Sequence, residues 1–393
     1  MEKNLIVAFG GASPEHEVSV LTAMQAIHAL EETSYQIIPL YIAKNGRWYT
    51  GDNLLDLKQY ENLDKLKSGA KGCHFTHNEL GQTVLEKKKS GLFSKPNQHI
   101  VYAVLASFHG SAGENGSFQG VCEMFNVPYT GSGVMGSAVG MDKVTAKSLC
   151  RAEGIPVVDG IDFYESTWVN EQEETFKKID NLKYPCVVKP VHLGSSIGVE
   201  IVENREKLIE AVETAFRYDN HILVEKAISP LTEINCSVKG TAENPVASVC
   251  ERPLGAEELL SFKDKYMRDD AAKGMASADR EIPAKIPDSL STAIQETSKK
   301  IFGLFNCSGL ARLDFLVESE TENFYFNEIN TIPGSFSFYL WKESGIGFDS
   351  LLKEMIDIAV SNHQKKNGRI VTYDTNLLSQ KAVKGMKGLK GNK

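Results

Sequence analysis

Arg312, Asp314, Glu328 and Asn330 fall within Gly309–Gly334, reading GLARLDFLVESETENFYFNEINTIPG, at spacings that let two carboxylates, an amide and a guanidinium meet. Val317 and Phe324 flank the polar segment Glu318–Asn323, so the stretch reads as an antiparallel hairpin whose side chains alternate between two faces. Arg312 and Asp314 then share one face of the first strand, and Glu328 and Asn330 share one face of the second. With the turn near Thr321, Asp314 sits opposite Glu328 and Arg312 opposite Asn330. Facing carboxylates repel. A hard cation between them removes the repulsion, and Mg²⁺ held by one or two carboxylates together with phosphate oxygens suits such a pair. The competing reading of the pattern is a solvated hairpin face on which Arg312 partners the acids.

A second chemical stretch is Tyr184–Val202, YPCVVKPVHLGSSIGVEIV, two β-rich runs joined by a loop containing Gly194, Ser195, Ser196 and Gly198. Small residues let backbone N–H groups approach an anion, and the serines add hydroxyl donors. Lys189 lies in an otherwise apolar strand, where a lone ammonium needs an anionic partner that a nucleotide phosphate can supply. The loop reads as a glycine lid over phosphates and not as a Walker loop, since the chain contains no GxxxxGK[ST].

The elements that must carry these groups follow from the patterning. Leu5–Phe9 is a buried strand turned by Gly10-Gly11 into a helix, with Ser13 as N-cap, Pro14 at the first helical position and Glu15 in the first turn. With the strand Gln36–Ile42 this opens an α/β sheet, whose ligands gather at the carboxyl ends of its strands. Glu15 lies at that edge, where it either caps the helix dipole or binds an ammonium. His99–Phe108 reads as one apolar strand ending in His109-Gly110 and a Gly-rich loop, which makes His109 a ligand-binding candidate or a structural histidine. Asn45–Gln98 is a polar, lysine-rich insertion. Gly131–Gly136, GSGVMG, matches the dinucleotide pattern formally, but Pro128 shortens the approach and a helix, Ala138–Glu153, follows, so that reading is rejected. Lys143 lies on that helix beside Asp142, with Lys147 one turn beyond; the plain alternative to a binding role for them is a solvated helix face. Glu225 and Glu233 flank a short crossing segment where a base and ribose could bind. Ser261–Ala278 reads as a mobile loop carrying Lys265 and Tyr266.

The 393 residues, 42% of them hydrophobic, suffice for two or three domains, and a net charge of -8 argues against nucleic acid as the main partner. No apolar run approaches a membrane span, and the N-terminus lacks the pattern of a secretory signal, so a cytoplasmic protein is expected. The seven scattered cysteines include no CxxC pair, which suits reduced thiols. Cys73, His74 and His77 form the only Cys/His cluster, without a second ligand pair to complete a metal site.

With these residues in view, the chain resembles the D-alanine:D-alanine ligases of the ATP-grasp superfamily over residues 1 to about 362. The match is carried by GGASPEHEVS (10–19), FHGSAGENGSFQG (108–120), VPYTGSGVMGSAVGMDK (127–143), VVKPVHLGSSIGV (187–199), LVEK (223–226), Lys265-Tyr266, ARLDF (311–315) and NEINTIPG (327–334). The resemblance implies an α/β (α+β) fold of three domains. These are an N-terminal open parallel α/β domain over 1–137 with the insertion 45–98, a central domain over 138–240 with the glycine lid, and a C-terminal domain over 241–366. The antiparallel sheets of the last two would sandwich ATP, and a lysine-rich tail, 367–393, would stay disordered.

The same resemblance implies the roles. Asp314, Glu328 and Asn330 would hold two Mg²⁺ ions, with Mn²⁺ as a substitute. Lys143, Lys189, Ser196 and Lys265 would contact the nucleotide's phosphates, Glu225 and Ala227 the adenine, and Glu233 the ribose. Glu15 would bind the first D-alanine's ammonium near His109, and Ser195 would join Glu15 and Tyr266 in closing the site. Arg312 and the Gly334 N–H would stabilise a tetrahedral oxyanion. The product would be D-alanyl-D-alanine for peptidoglycan, made by a cytoplasmic homodimer through an acyl phosphate. One departure is Phe338-Tyr339-Leu340, standing where family members often carry His-Ser-Leu. Tyr339 could serve the second substrate's carboxylate at longer reach, which leaves D-serine or D-lactate open as acceptors, while Lys265-Tyr266 favours D-alanine over D-lactate. A nucleotide-binding regulator and a dinucleotide oxidoreductase are the readings from other classes.

Overall fold

The computed structural model describes residues 3–88, 97–254 and 280–370. Lys265, Tyr266 and the tail from residue 371 lie outside the described residues.

The first sheet is built on β1 (Lys3–Gly10), a strand buried from Asn4 to Gly10. It is completed by β2 (Tyr35–Ile42), β3 (Trp48–Thr50), β4 (Lys71–His77), β5 (Thr83–Lys87), β6 (Asn97–Ile100) and β7 (Ala103–Ala106), in the order β6-β5-β4-β3-β2-β1-β7. Only β2, β1 and β7 pair in parallel. The expected insertion is therefore not an appendage to a parallel sheet but its antiparallel extension, because β3 to β6 alternate direction and add on at the β2 side. The single apolar strand expected over His99–Phe108 is split at Val101-Tyr102, where the chain leaves β5 and joins β1. The first helix, His16–Ala29, also starts later than its sequence suggests. Ser13 accepts the Glu15 N–H on its side chain at 3.0 Å within a turn, which leaves Glu15 at the N-cap position.

The second sheet comprises β8 (Gly160–Tyr164), β9 (Cys186–Pro190), β10 (Glu200–Val202) and β11 (His221–Lys226), all antiparallel in the order β10-β9-β11-β8. The third comprises β12 (Leu231–Thr241), β13 (Asn244–Pro253), β14 (Arg280–Glu281), β15 (Ser308–Glu318) and β16 (Phe324–Asn330), in the order β14-β13-β12-β15-β16. The chain passes from the second sheet to the third between Lys226 and Leu231, since all of β12 pairs with β15. The expected helix Ala138–Glu153 is two helices, Val134–Met141 and Lys143–Ala152. Asp142 breaks it by taking an extended conformation and accepting the Thr145 N–H at 2.8 Å.

Three apolar cores result. One joins the first sheet to the C-terminal helix Phe348–Asn367 through Leu351, Leu352, Met355 and Ile356. A second sandwiches the third sheet with the helix Asp288–Leu304 and the buried face of Lys143–Ala152. The third fills the space between the second sheet and the helix Arg205–Ala215. Phe326, fully buried on the strand that carries Glu328, meets the rings of Phe305 and Phe315 at 6.1 and 6.2 Å between centroids. Removing such a ring opens a cavity that rigid neighbouring strands cannot fill. Phe326→Ala is expected to cost about 3 to 5 kcal/mol in denaturant unfolding.

Candidate active site

The hairpin of β15 and β16 has the register expected of it: Arg312 lies opposite Asn330 and Asp314 opposite Glu328. A bulge directly after Asp314 shifts the remaining pairs by one residue. The acids are not left facing each other uncompensated. Arg312 grips Asp314 with two parallel bonds, Nε to Oδ1 and a terminal nitrogen to Oδ2, both 2.7 Å. Such a fork combines charge with two aligned donors, and the guanidinium is held charged well above its ordinary range against the opposing effect of burial. Asn330 gives its amide N–H to the same Asp314 Oδ2 at 3.1 Å. Glu328 is met by Lys143 at 3.1 Å. Every member of the expected cation site is thus present on one hairpin face, with protein cations beside both acids.

Lys143 opens its helix because Asp142 caps it, and its ammonium also donates to the Leu193 carbonyl in the loop 191–199 at 2.5 Å. Ser195, two residues further, donates to Glu15 Oε1 across to the first sheet. Ser195 and Ser196 both adopt left-handed backbone, at φ 53° and 58°, which bends the loop sharply there. A Cβ on Gly194 would stand 3.2 Å from Glu15 Oε2, so glycine permits this approach.

On β9, Lys189 finds its anion within the protein. It donates to Glu225 Oε2 at 2.7 Å and to Asn327 Oδ1 on β16 at 3.0 Å, joining the second sheet to the third. Lys147 donates to the other Glu225 oxygen at 2.5 Å. It is buried, so the solvated helix face does not apply to it. Burial raises the Glu225 carboxyl, but the two lysines hold it down at about 2. Burial lowers Lys147 to about 8 despite Glu225. Both Glu225 oxygens being occupied, the carboxylate holds the two lysines and is not turned out toward a base. Ala227 donates its N–H to Pro185 O at 3.0 Å. Glu233 lies half-buried on β12, opposite Leu316 of β15.

His109 is buried, with Nε2 2.8 Å from Thr22 Oγ1, and burial lowers its pKa to about 4, which keeps the ring neutral. Thr22 Oγ1 also accepts the Ser335 N–H at 3.1 Å, fixing the turn that begins at Gly334. Tyr339 does not present a free hydroxyl: it donates to the fully buried Glu251 at 3.2 Å, while Arg280 lies 4.1 Å over its ring and donates to Glu251 at 2.7 Å.

Several participants escaped the sequence reading. Glu114 accepts the Gly110 N–H at 2.9 Å and the Ile332 N–H at 3.1 Å, and so ties the His109 loop to the hairpin exit. Burial and the nearby Glu15 raise its pKa to about 7. Its signal was an acid inside a Gly-rich loop. Lys147 showed itself only as a lysine one turn beyond Lys143. Asn327, Glu251 and Arg280 gave no signal, since each meets its partner across sheets or strands. Among the described residues no three His, Cys, Asp or Glu side chains group as a ligand set; the expected cation site has two carboxylates and one amide. All seven cysteines are free and buried. No described helix is long and apolar enough to cross a membrane.

Two antiparallel sheets, joined by Lys189 and presenting lysines from one side and acids from the other, with a small-residue loop beside them, define an ATP-grasp architecture. Residues 4–132 match the family described as D-ala D-ala ligase N-terminus, and residues 149–357 match D-ala D-ala ligase C-terminus. The D-alanine–D-alanine ligase of Thermosipho melanesiensis is 40% identical over 382 residues, covering 97% of this chain and 99% of that one. Its counterpart in Bacillus cytotoxicus is 33% identical, covering 91% and 96%. The solved D-alanine-D-alanine ligase of Coxiella burnetii superposes with a TM-score of 0.77 at 27% identity, over 93% of this chain and 96% of that one. VanG D-Ala:D-Ser ligase of Enterococcus faecalis does so at 0.76 and 27%, over 91% and 100%. The chain belongs to the D-alanine–D-alanine ligase family.

The Glu225 clamp has a pH signature. Its carboxyl lies at about 2 in the fold against an ordinary 4.5, so its contribution to stability is complete above pH 4.5 and is lost as pH falls toward 2. In unfolding measured across that window, Glu225→Gln should be less acid-sensitive than the parent. At neutral pH it should be weaker by on the order of 3 kcal/mol, because two buried lysines lose their counter-ion.

Proposed function

We propose that this chain joins two D-alanines into D-alanyl-D-alanine at the expense of ATP, passing through an acyl phosphate. The observation that carries this reading is the meeting of Asp314, Glu328, Asn330, Arg312 and Lys143 at one point, with Ser195 of the loop 191–199 already seated on Glu15. Support for D-alanine in both positions comes from the full-length relatives named D-alanine–D-alanine ligase.

A carboxylate is a poor acyl donor, and phosphorylating it by ATP makes it a good one. Asp314, Glu328 and the Asn330 side chain would hold the Mg²⁺, or Mn²⁺, and the bound ion would neutralise phosphate charge during transfer. Lys143, Lys189 and the Ser196 region would meet the phosphates; Ala227 and the neighbourhood of Glu225 would meet the adenine, and Glu233 the ribose. Glu15, buried at the N-cap position of its helix, would take the first D-alanine's ammonium. The neutral ring of His109 adds no competing positive charge beside it. Lys265 and Tyr266, outside the described residues, would complete the network that starts at Ser195 and Glu15.

The second D-alanine's neutral amine then attacks the acyl-phosphate carbonyl; the C–N bond forms as the acyl C–O bond breaks, inorganic phosphate leaves and the nitrogen gives up a proton. Arg312 and the Gly334 N–H would bind the oxygen that becomes negative, each donor contributing about 3 to 4 kcal/mol. Closure by the loop 191–199 keeps water from the acyl phosphate. Since Tyr339 is bonded to Glu251, its part at the acceptor subsite would be to shape the wall with Arg280. We further infer a cytoplasmic homodimer, to which the buried, unpaired thiols are well suited and whose mass light scattering would give.

Phosphate release with D-alanine alone tests the reading directly, set against D-alanine with D-serine or D-lactate added. Turnover with D-alanine alone is expected, and its absence would reject the assignment. Glu328→Gln should reduce that turnover at least about a hundredfold with unfolding unchanged; a near-parental rate would dismiss the cation site.

A further inference from the structure

The root of the loop 191–199 carries a side chain that the reaction above does not use. His192 stands between two carboxylates from separate elements. Its Nδ1 lies 2.9 Å from Asp219 Oδ2 and its Nε2 lies 3.3 Å from Asp142 Oδ2, while its backbone N–H donates to Asp219 Oδ2 at 2.7 Å. Acceptors at both ring nitrogens suit only the doubly protonated imidazolium, the one form with two donors. Asp219 precedes β11 and also accepts the His221 N–H at 3.2 Å. Asp142 caps the helix that opens with Lys143. The next residue after His192, Leu193, gives its carbonyl to Lys143, and Ser195 then reaches Glu15.

The other groups facing this ring are few. His221 lies 6.1 Å away between ring centroids and is itself paired with Asp162 at 2.8 Å, and Lys143 is held at the Leu193 carbonyl. The hydrogen bonds to Asp142 and Asp219 raise His192 to about 9; burial raises the Asp142 carboxyl, but His192 and Thr145 together hold it at about 2.

We propose that His192 is a positioning residue: clamped as an imidazolium between Asp142 and Asp219, it anchors the loop root so that the Leu193 carbonyl finds Lys143 and Ser195 finds Glu15. Its kinetic consequence rests on the ligase reading, whereas its effect on loop order does not. A loop fixed only at its tip must be ordered anew at each nucleotide encounter. One fixed at root and tip starts near its closed form, so the root anchor acts on nucleotide affinity more than on the chemical step.

The test uses the full chain, with His192→Gln and, as the charge-keeping variant, His192→Arg. Amide hydrogen exchange of residues 191–199 without nucleotide is measured beside KM for ATP and kcat between pH 7 and 10. At pH 7, His192→Gln should exchange faster in this segment and raise KM for ATP about fivefold, with kcat within about twofold. Lys147, at about 8, bears on all three chains alike; beyond that shared trend the parent's KM should rise further as pH passes 9, while the glutamine and arginine variants' should not. Unchanged exchange and KM in His192→Gln at pH 7, or parent and glutamine profiles running parallel across pH 9, would overturn the proposal. A parent chain that exchanges as expected but shows no turnover would instead reject the ligase reading and leave the anchor standing.

Discussion

Negative side chains removed from water and crowded on one hairpin face determine what the rest of this molecule must do. Asp314 and Glu328 are directly cross-strand, and their repulsion would open the hairpin if nothing positive stood near. The protein answers with Arg312 along the strand and Lys143 from a different element. Glu225 repeats the solution one step deeper, between Lys147 and Lys189. Asp314 is thus matched from its own strand, whereas Glu328 and Glu225 are matched by cations delivered from other elements, and the fold brings those elements together.

This explains why so many elements end at the same place. The break at Asp142 brings Lys143 to the start of a helix, β9 carries Lys189 across to Asn327, and Glu114 ties the His109 loop to the exit of β16. None of these contacts lies within a single core. The first apolar cluster reaches from the first sheet to Leu310 of β15 and the C-terminal helix, while Lys189 and Asn327 join the second sheet to the third by polar contact. Contacts of that kind can loosen without unfolding a core, as binding and release of a nucleotide require.

How much of this could be read in advance depended on range. The Asp314–Glu328 register was legible because a hairpin is local and its side chains alternate with period two, and it held as far as the bulge after Asp314. The loop between β9 and β10 was likewise legible from small residues between two strands, though the left-handed bend at Ser195 and Ser196 was not. The burial of Lys147 was not legible because its partner Glu225 is 78 positions away in sequence. Tyr339 was offered a substrate's carboxylate because sequence does not reveal Glu251 beneath it. The helix expected to run through Asp142 failed for another reason: the capping aspartate was visible, but an unbroken apolar pattern around it concealed the restart. Residues 45–98 looked like an insertion because their polarity reflects an exposed sheet edge.

Ser335, Phe336 and Ser337 adopt three consecutive left-handed conformations, none of them glycine. Each carries a backbone cost of about 1 to 2 kcal/mol, borne because Phe336 is buried and the Ser335 N–H is taken by Thr22. A corner of that kind tolerates little drift, because β-branched side chains would clash in left-handed backbone. Change on this side of the cleft is therefore left to the side chains beyond the corner, such as Phe338 and Tyr339, while the peptide path through Ser335–Ser337 stays fixed.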